Sequence, residues 1–270
     1  MFKLRLFSGI LLLVATVATL YFGGVVTFAV LTMISLIGVN ELLRIFQMEK
    51  SAMAVIVYCA TILYYLMLLF NVGNWGFTFL IAVLIFLLGC YVFCYPKYHA
   101  HQLMASFFSL IYVSIMMSYI YQLRILPNGG EFVVLIFLAA WGTDTFAYCT
   151  GMLIGKHKMT PLLSPKKTIE GAIGGLVGTA LLGVLYGFLI ANKLRLDFNP
   201  MVIFPIVCVV GGVISMIGDL AASAIKRNFD IKDYGTLIPG HGGILDRFDS
   251  IIIVAPIVYL LIAMLTGATL

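Results

Sequence analysis

The chain has 270 residues, of which 63% are hydrophobic and only 10% are Asp, Glu, Lys or Arg, and it carries a formal net charge of +5. That leaves too little polar surface to clothe a soluble globule of this length, so the composition describes a polytopic membrane protein. Apolar runs of about 20 residues recur from end to end, which favours spanning helices over a barrel, whose strands would alternate polar and apolar positions.

The first apolar block, from Leu6 to Asn40, is too long for one span and carries Gly23 and Gly24 in its middle, which predicts two helices joined by a tight turn. Further spans are expected at 52–70, 76–94, 102–122, 131–154, 168–190, 201–225 and 248–268, making about nine in an all-α fold. The breaks between them hold turn and charge residues: NVGN at 71, YPKYHAH at 95, LPNGG at 126, KHKMTPLLSPKK at 156 and NKLRLDFNP at 192. Residues 1–125 then form an N-terminal group of about five spans. Residues 126–270 form a C-terminal catalytic region of about four, with cytoplasmic loops at 155–167 and 226–247. Lys3 and Arg5 ahead of a leucine-rich run mimic a secretory leader, but the apolar stretch continues far past the length of a leader core.

Nine alternating helices put thirteen cations on the side of the N-terminus: Lys3, Arg5, Arg44, Lys50, Lys97, Lys156, Lys158, Lys166, Lys167, Lys226, Arg227, Lys232 and Arg247. The other side receives three, Arg124, Lys193 and Arg195. The excess of Lys and Arg marks the cytoplasmic side, so the N-terminus is expected inside, the C-terminus outside, and the protein in the cell (inner, cytoplasmic) membrane. The five cysteines, Cys59, Cys90, Cys94, Cys149 and Cys208, form no CxxC pair and read as small packing residues. Gly171, Gly175 and the pair Gly174, Gly178 give overlapping GxxxG spacings in the seventh span. Packing within one subunit is favoured there over a homodimer interface.

Two carboxylates stand where a membrane discourages them. Asp144 falls in the sixth predicted span and Asp219 in the eighth, and an ionised Asp at a bilayer centre costs about 2.5 to 3.5 kcal/mol on insertion scales. Trp141, Asp144, Tyr148 and Gly151 form one helical stripe, and Ser215, Asp219, Ala222 and Lys226 another. With Asp246 and Asp249 at the start of the ninth span, four carboxylates are expected in one cytoplasmic layer, where a divalent cation, with a second ion beside it, would relieve their repulsion. Glu41 and Glu49 lie near loop ends and read as solvated. Glu170 is either a first-turn carboxylate favoured by the helix dipole or a site residue. His99, His101 and His157 have no ligand partner at useful spacing and read as surface residues.

In SPKKTIEGAIGG, residues 164–175, Ser164 reads as the N-cap and Pro165 as the first helical residue of the seventh span. Free N–H groups, the positive dipole end, Lys166 and Lys167 would then form an anion-binding helix start. The segment Ser223–Asp249, SAIKRNFDIKDYGTLIPGHGGILDRFD, is the longest charged stretch in the chain. Lys226, Arg227, Lys232 and Arg247 supply cationic donors for phosphate. Gly240, Gly242 and Gly243 flank His241 and remove the Cβ atoms that would keep a polyphosphate from backbone N–H groups. Asp246 and Asp249, three apart, share a helical face and suit Mg2+, which takes a few carboxylate oxygens together with substrate phosphates.

This string closely resembles the signature of the phosphatidate cytidylyltransferases, also called CDP-diacylglycerol synthases. Its Ser, Lys-Arg, Lys-Asp, Pro-x-His-Gly-Gly and Asp-Arg-x-Asp elements stand at the family's spacing. The likeness extends to WGTDTFAYCTG at 141–151 and SPKKTIEGAIGG at 164–175. It implies an integral membrane nucleotidyltransferase whose partners are CTP, phosphatidate and membrane lipid rather than nucleic acid. A phosphate oxygen of the lipid would attack the α-phosphorus of CTP, while metal and lysines neutralise the leaving pyrophosphate.

On that reading Asp219, Asp246 and Asp249 are the main carboxylates for Mg2+, with Asp144 beside them, and a monovalent cation is the candidate second ion. Lys226 joins them in catalysis. Ser223, Lys166, Lys167, Arg227, Lys232, Arg247, Gly242 and Gly243 bind substrate phosphates. His241 is a candidate general base, though an ionised phosphate nucleophile hardly needs one. A CTP-dependent kinase of a lipid alcohol would share this chemistry. A transporter would use the carboxylates as a cation or proton site, but no internal repeat is evident and a cation pathway has no use for the basic, glycine-rich segment.

Overall fold

A computed structural model of the chain describes residues 2–72, 75–193 and 196–267, with side chains from Ser8 onward. Gly73, Asn74, Leu194 and Arg195, which belong to the expected breaks at 71 and 192, lie outside the described residues, as do the side chains of Lys3 and Arg5. Within them the helices are α1 (Phe2–Phe22), α2 (Gly24–Ile45), α3 (Ala52–Leu69), α4 (Gly76–Phe93), α5 (Ala100–Ile125), α6 (Gly129–Ile154), α7 (Ile169–Ile190), α8 (Pro200–Asn228) and α9 (Leu245–Thr266). Among the described residues α2 to α9 are long and apolar enough to cross a membrane, and Ser8–Phe22, the part of α1 with described side chains, is apolar as well. The protein is therefore an all-α, multi-pass membrane protein.

The helices fall into two compact units, Met1–Gln122 with Asp233–Arg247, and Leu123–Lys232 with Phe248–Leu270. In the first, the reversal between α1 and α2 rests on Gly23 and Gly24, whose φ angles of 62° and 46° are strained for any side chain. Thr27 Oγ1 fixes that reversal by donating to Thr19 O at 2.8 Å. Ser51 caps α3 by accepting from Ala54 N at 3.0 Å. Where hydrocarbon supplies no drive for helix association, buried polar pairs set the register. Ser35 Oγ meets Tyr65 OH at 2.8 Å, and Thr61 Oγ1 meets Ser114 Oγ at 2.7 Å.

The second unit is built on close backbone approach. A Cβ at Gly171 would stand 2.8 Å from Ala147 O and one at Gly175 2.9 Å from Thr143 O, so this face of α7 lies flush on α6. Further along α7, a Cβ at Gly183 would meet Pro205 Cα at 2.8 Å and one at Gly187 would meet Pro200 O at 2.7 Å, both on α8. The GxxxG spacing thus serves packing within the chain. In α6 the turn widens to a π-helical stretch, Leu138–Gly142, and Thr179 Oγ1 satisfies Leu138 O at 2.8 Å.

The expected start of the seventh span is overturned. Ser164 does not cap the seventh span: Ser164–Thr168 is β-strand β2, paired antiparallel with β1, Lys158–Thr160, and the helix begins at Ile169. Its cap is Thr168, whose side chain accepts from Gly171 N at 3.1 Å. The reason is electrostatic. A start at Pro165 would put Lys166 and Lys167 on the positive end of the dipole, whereas a start at Ile169 keeps them off it and places Glu170 in the first turn.

Candidate active site

The π-helical stretch of α6 leads directly into Asp144, an exposed residue on the wall of a cavity of about 440 Å3. Tyr148 and Gly151, one and two turns on, line the same cavity, so the stripe expected on this helix holds for three of its four members. Trp141, the fourth, packs edge-on against Phe137, with ring centroids 5.0 Å apart. Across the cavity stand Met216 and Asp219 of α8, with Ser164, Lys166 and Lys167 of β2. Lys167 Nζ is ion-paired to Asp219 Oδ2, and about a quarter of each side chain remains open to solvent.

Two turns beyond Asp219 on α8, Lys226 Nζ stands 4.0 Å from Asp249 Oδ2 of α9, with both side chains nearly buried. Ser250 N donates to Asp249 Oδ1 at 2.8 Å. The charges of Asp219, Lys226 and Asp144 all bear on Asp249. Ser223 is half-buried on α8 between Asp219 and Lys226, while Arg227 and Lys232 are exposed. The base of the hairpin is held by Glu170, which accepts from Lys156 N at 3.0 Å and pairs with His157 Nδ1 at 2.5 Å. His157 is a surface residue as expected, with its side chain 76% exposed, and through it Glu170 fastens the approach to β1, the strand paired with the one that carries Lys166 and Lys167.

The glycine-rich part of the charged segment folds within the first unit. Ile238 N donates to Gly242 O at 2.8 Å and His241 N to Ile238 O at 2.9 Å, closing a tight turn. Gly240 and Gly242 sit there at φ 79° and 84°, conformations that glycine adopts freely and a side chain would strain. His241 Nδ1 lies 2.7 Å from Ser8 Oγ of α1, so one ring nitrogen anchors the turn. Asp246 is 5% exposed, and its Oδ2 accepts from Tyr234 N at 2.7 Å and Gly243 N at 2.9 Å. The Gly243 N–H is thereby occupied. Arg247, the next residue, is exposed.

Glu41 corrects the sequence reading most sharply. Expected to be solvated, it is 3% exposed on α2, and it accepts from Ile244 N at 3.0 Å and Leu245 N at 2.8 Å at the start of α9. No local pattern could reveal a partner more than 200 positions away.

Mg2+ can be tested against the donors present. Among the described residues no group of three or more His, Cys, Asp or Glu is gathered tightly enough to hold an ion outright. Asp219 and Asp249, with Asp144 in electrostatic reach, nonetheless offer hard oxygen donors, and lysine ammoniums already occupy the cationic positions beside the first two. Mg2+ asks for one or two carboxylates together with substrate phosphates, so the donor set fits it.

Residues 3–265 match the model of the cytidylyltransferase family. The chain is 34% identical over 265 residues to a phosphatidate cytidylyltransferase of Staphylococcus haemolyticus, covering 96% of this chain and 98% of the relative. Phosphatidate cytidylyltransferases of Staphylococcus saprophyticus and Staphylococcus aureus are 32% and 34% identical, with the same coverage. With residues 3–265 matched, this chain belongs to the cytidylyltransferase family.

Proposed function

We propose that the chain is a phosphatidate cytidylyltransferase, joining CTP to phosphatidate with release of pyrophosphate to give CDP-diacylglycerol. The observation that carries this reading is the cavity lined by Asp144, Asp219, Lys166 and Lys167, two carboxylates and two lysines inside a membrane protein of this family. A phosphate oxygen of phosphatidate forms a bond to the α-phosphorus of CTP. The bond from that phosphorus to the bridging oxygen breaks, and its electron pair leaves with pyrophosphate. Lys166 and Lys167 neutralise the charge that grows on the departing group, which matters most where water is scarce. Lys226 balances Asp249 until substrate arrives, and Ser223, Arg227, Lys232 and Arg247 supply further donors. Asp219 and Asp249 would hold Mg2+, with Asp144 nearby and Asp246 one turn earlier on α9, and the ion would supply Lewis-acid polarisation of the phosphates.

Tyr148 and Met152, 70% and 67% exposed, line the same cavity as Asp144, so its wall carries apolar as well as charged groups. That supports entry of the lipid headgroup sideways from the leaflet, since extracting acyl chains would cost about 0.8 kcal/mol per CH2. CTP arrives from water on the side that the thirteen-to-three division of cations marks as cytoplasmic, with the enzyme in the cell membrane. The test is to supply purified protein with phosphatidate and CTP labelled at the α or the γ phosphate. Label from the α position should enter lipid. Label from the γ position in lipid would make the protein a kinase, and transfer of neither would revive a transporter.

A further inference from the structure

We propose that Glu41 is a positioning residue for this reaction, holding the glycine-rich turn and the first turn of α9 in working geometry from a helix that the charged segment does not include. The proposal rests on the cytidylyltransferase reading for its effect on catalysis, but its structural part stands by itself. Both oxygens of Glu41 are used, Oε1 by Ile244 N and Oε2 by Leu245 N. These are N–H groups at the start of α9, which have no partner within the helix and are left orphaned if buried without an acceptor. A carboxylate there also meets the positive end of the helix dipole.

The loop is shaped around that carboxylate. A Cβ at Gly235 would stand 2.5 Å from Glu41 Oε1, and a Cβ at Gly243 would stand 2.5 Å from both oxygens. Gly243 is therefore glycine for a reason separate from its φ: the chain passes so close to Glu41 that only hydrogen fits. Its N–H is in turn bound by Asp246. Glu41 thus fixes the residue that Asp246 grips, and it caps the helix that carries Asp246 and, three residues on, Asp249.

The oxygen-by-oxygen division makes a sharp test. Glu41→Gln keeps shape but has one acceptor oxygen, so one of the two N–H groups must face an amide NH2. Glu41→Asp keeps both oxygens on a shorter stem. Hydrogen exchange of the purified protein in detergent, read without substrate, should rise at least tenfold across residues 233–246 in Glu41→Gln and stay unchanged in α7. Turnover should fall at least tenfold, with Glu41→Asp recovering part of it. Should Glu41→Gln fail to assemble, Gly243→Ala asks the same question, because its Cβ displaces the carboxylate; pairing it with Glu41→Ala should then cost no more than Gly243→Ala alone. Wild-type exchange in the loop, exchange raised equally throughout the chain, or additive costs in that pair would overturn the proposal. An inactive wild-type protein with the predicted exchange pattern would instead strike at the reaction and leave the positioning role standing.

Discussion

Replacing Lys167 with Met removes the ammonium that pairs with Asp219, and the structure fixes the sign of the effect on cation binding. Any divalent cation at Asp219 must displace that lysine or share the carboxylate with it, so the lysine is a built-in competitor. A contact ion pair at an effective dielectric of about 20 is worth about 4 kcal/mol, while fully exposed pairs are worth about 0.2 to 1. With 26% and 27% of the two side chains open to solvent, the pair falls between these limits, at about 1 to 2 kcal/mol. Removing it should tighten cation binding by about 5- to 30-fold. The assay is Mn2+ binding by electron paramagnetic resonance in the absence of nucleotide, where the metal has no phosphate partner to confuse the reading. Lys167→Arg keeps the competing charge and should bind Mn2+ as the wild type does. Catalysis should fall in Lys167→Met even as the metal binds better, because the same ammonium is the proposed partner of pyrophosphate. Mn2+ affinity that is unchanged or weaker in Lys167→Met would refute the competition and move the cation away from Asp219.

The packing of α7 on α6 predicts that Gly175→Leu cannot be absorbed. Its Cβ would stand 2.9 Å from Thr143 O and 3.0 Å from Ala147 Cβ, so overpacking should cost about 1 to 3 kcal/mol or more and lower the thermal midpoint in detergent. A wild-type midpoint would mean the helices separate more easily than the glycine face implies. The corrected start of α7 is tested by two caps: Thr168→Ala should destabilise by about 1 kcal/mol, while Ser164→Ala should stay within about 0.5. The reverse order would return the helix start to Ser164.

Helix positions are legible where apolar length alone decides them. The span expected at 76–94 is Gly76–Phe93, and that expected at 168–190 is Ile169–Ile190. Departures occur where a distant group intervenes. The last span, expected from 248, starts at Leu245, because Glu41 supplies the acceptor that lets Ile244 and Leu245 bury their N–H groups. The eighth runs on to Asn228 rather than 225, and Lys226 and Arg227 are favoured in a last helical turn by the dipole. The β-hairpin is illegible because Ser-Pro is a sound helix-start signal locally, and only the lysines after it and the partners of Glu170 argue otherwise. The chemistry obeys the same rule. Charged residues in apolar surroundings announce Asp144 and Asp219, but which lysine answers which carboxylate depends on strand and helix placement that spacing does not encode.

Those pairings also divide the carboxylates by what holds them. Asp219 and Asp249 lean on lysines, and a lysine can yield to another cation. Asp246 leans through Oδ2 on two backbone N–H groups, which cannot be given up without loosening the turn. Asp→Asn substitutions separate charge from shape at each. In Asp246→Asn the carbonyl oxygen can take the place of Oδ2 and keep both N–H bonds, so the turn should exchange as in the wild type and any loss of turnover reports the missing charge. At Asp219 and Asp249 the amide forfeits the lysine pairing as well. All three variants should insert normally and lose at least about 100-fold in turnover, because a hard cation needs charged oxygen. Lys50→Ala, exposed and remote in sequence from the cavity residues, should be silent. Near-normal turnover of Asp246→Asn at limiting Mg2+ would reduce Asp246 to a fastener of the turn, leaving Asp219 and Asp249, the lysine-held pair, to bind the cation.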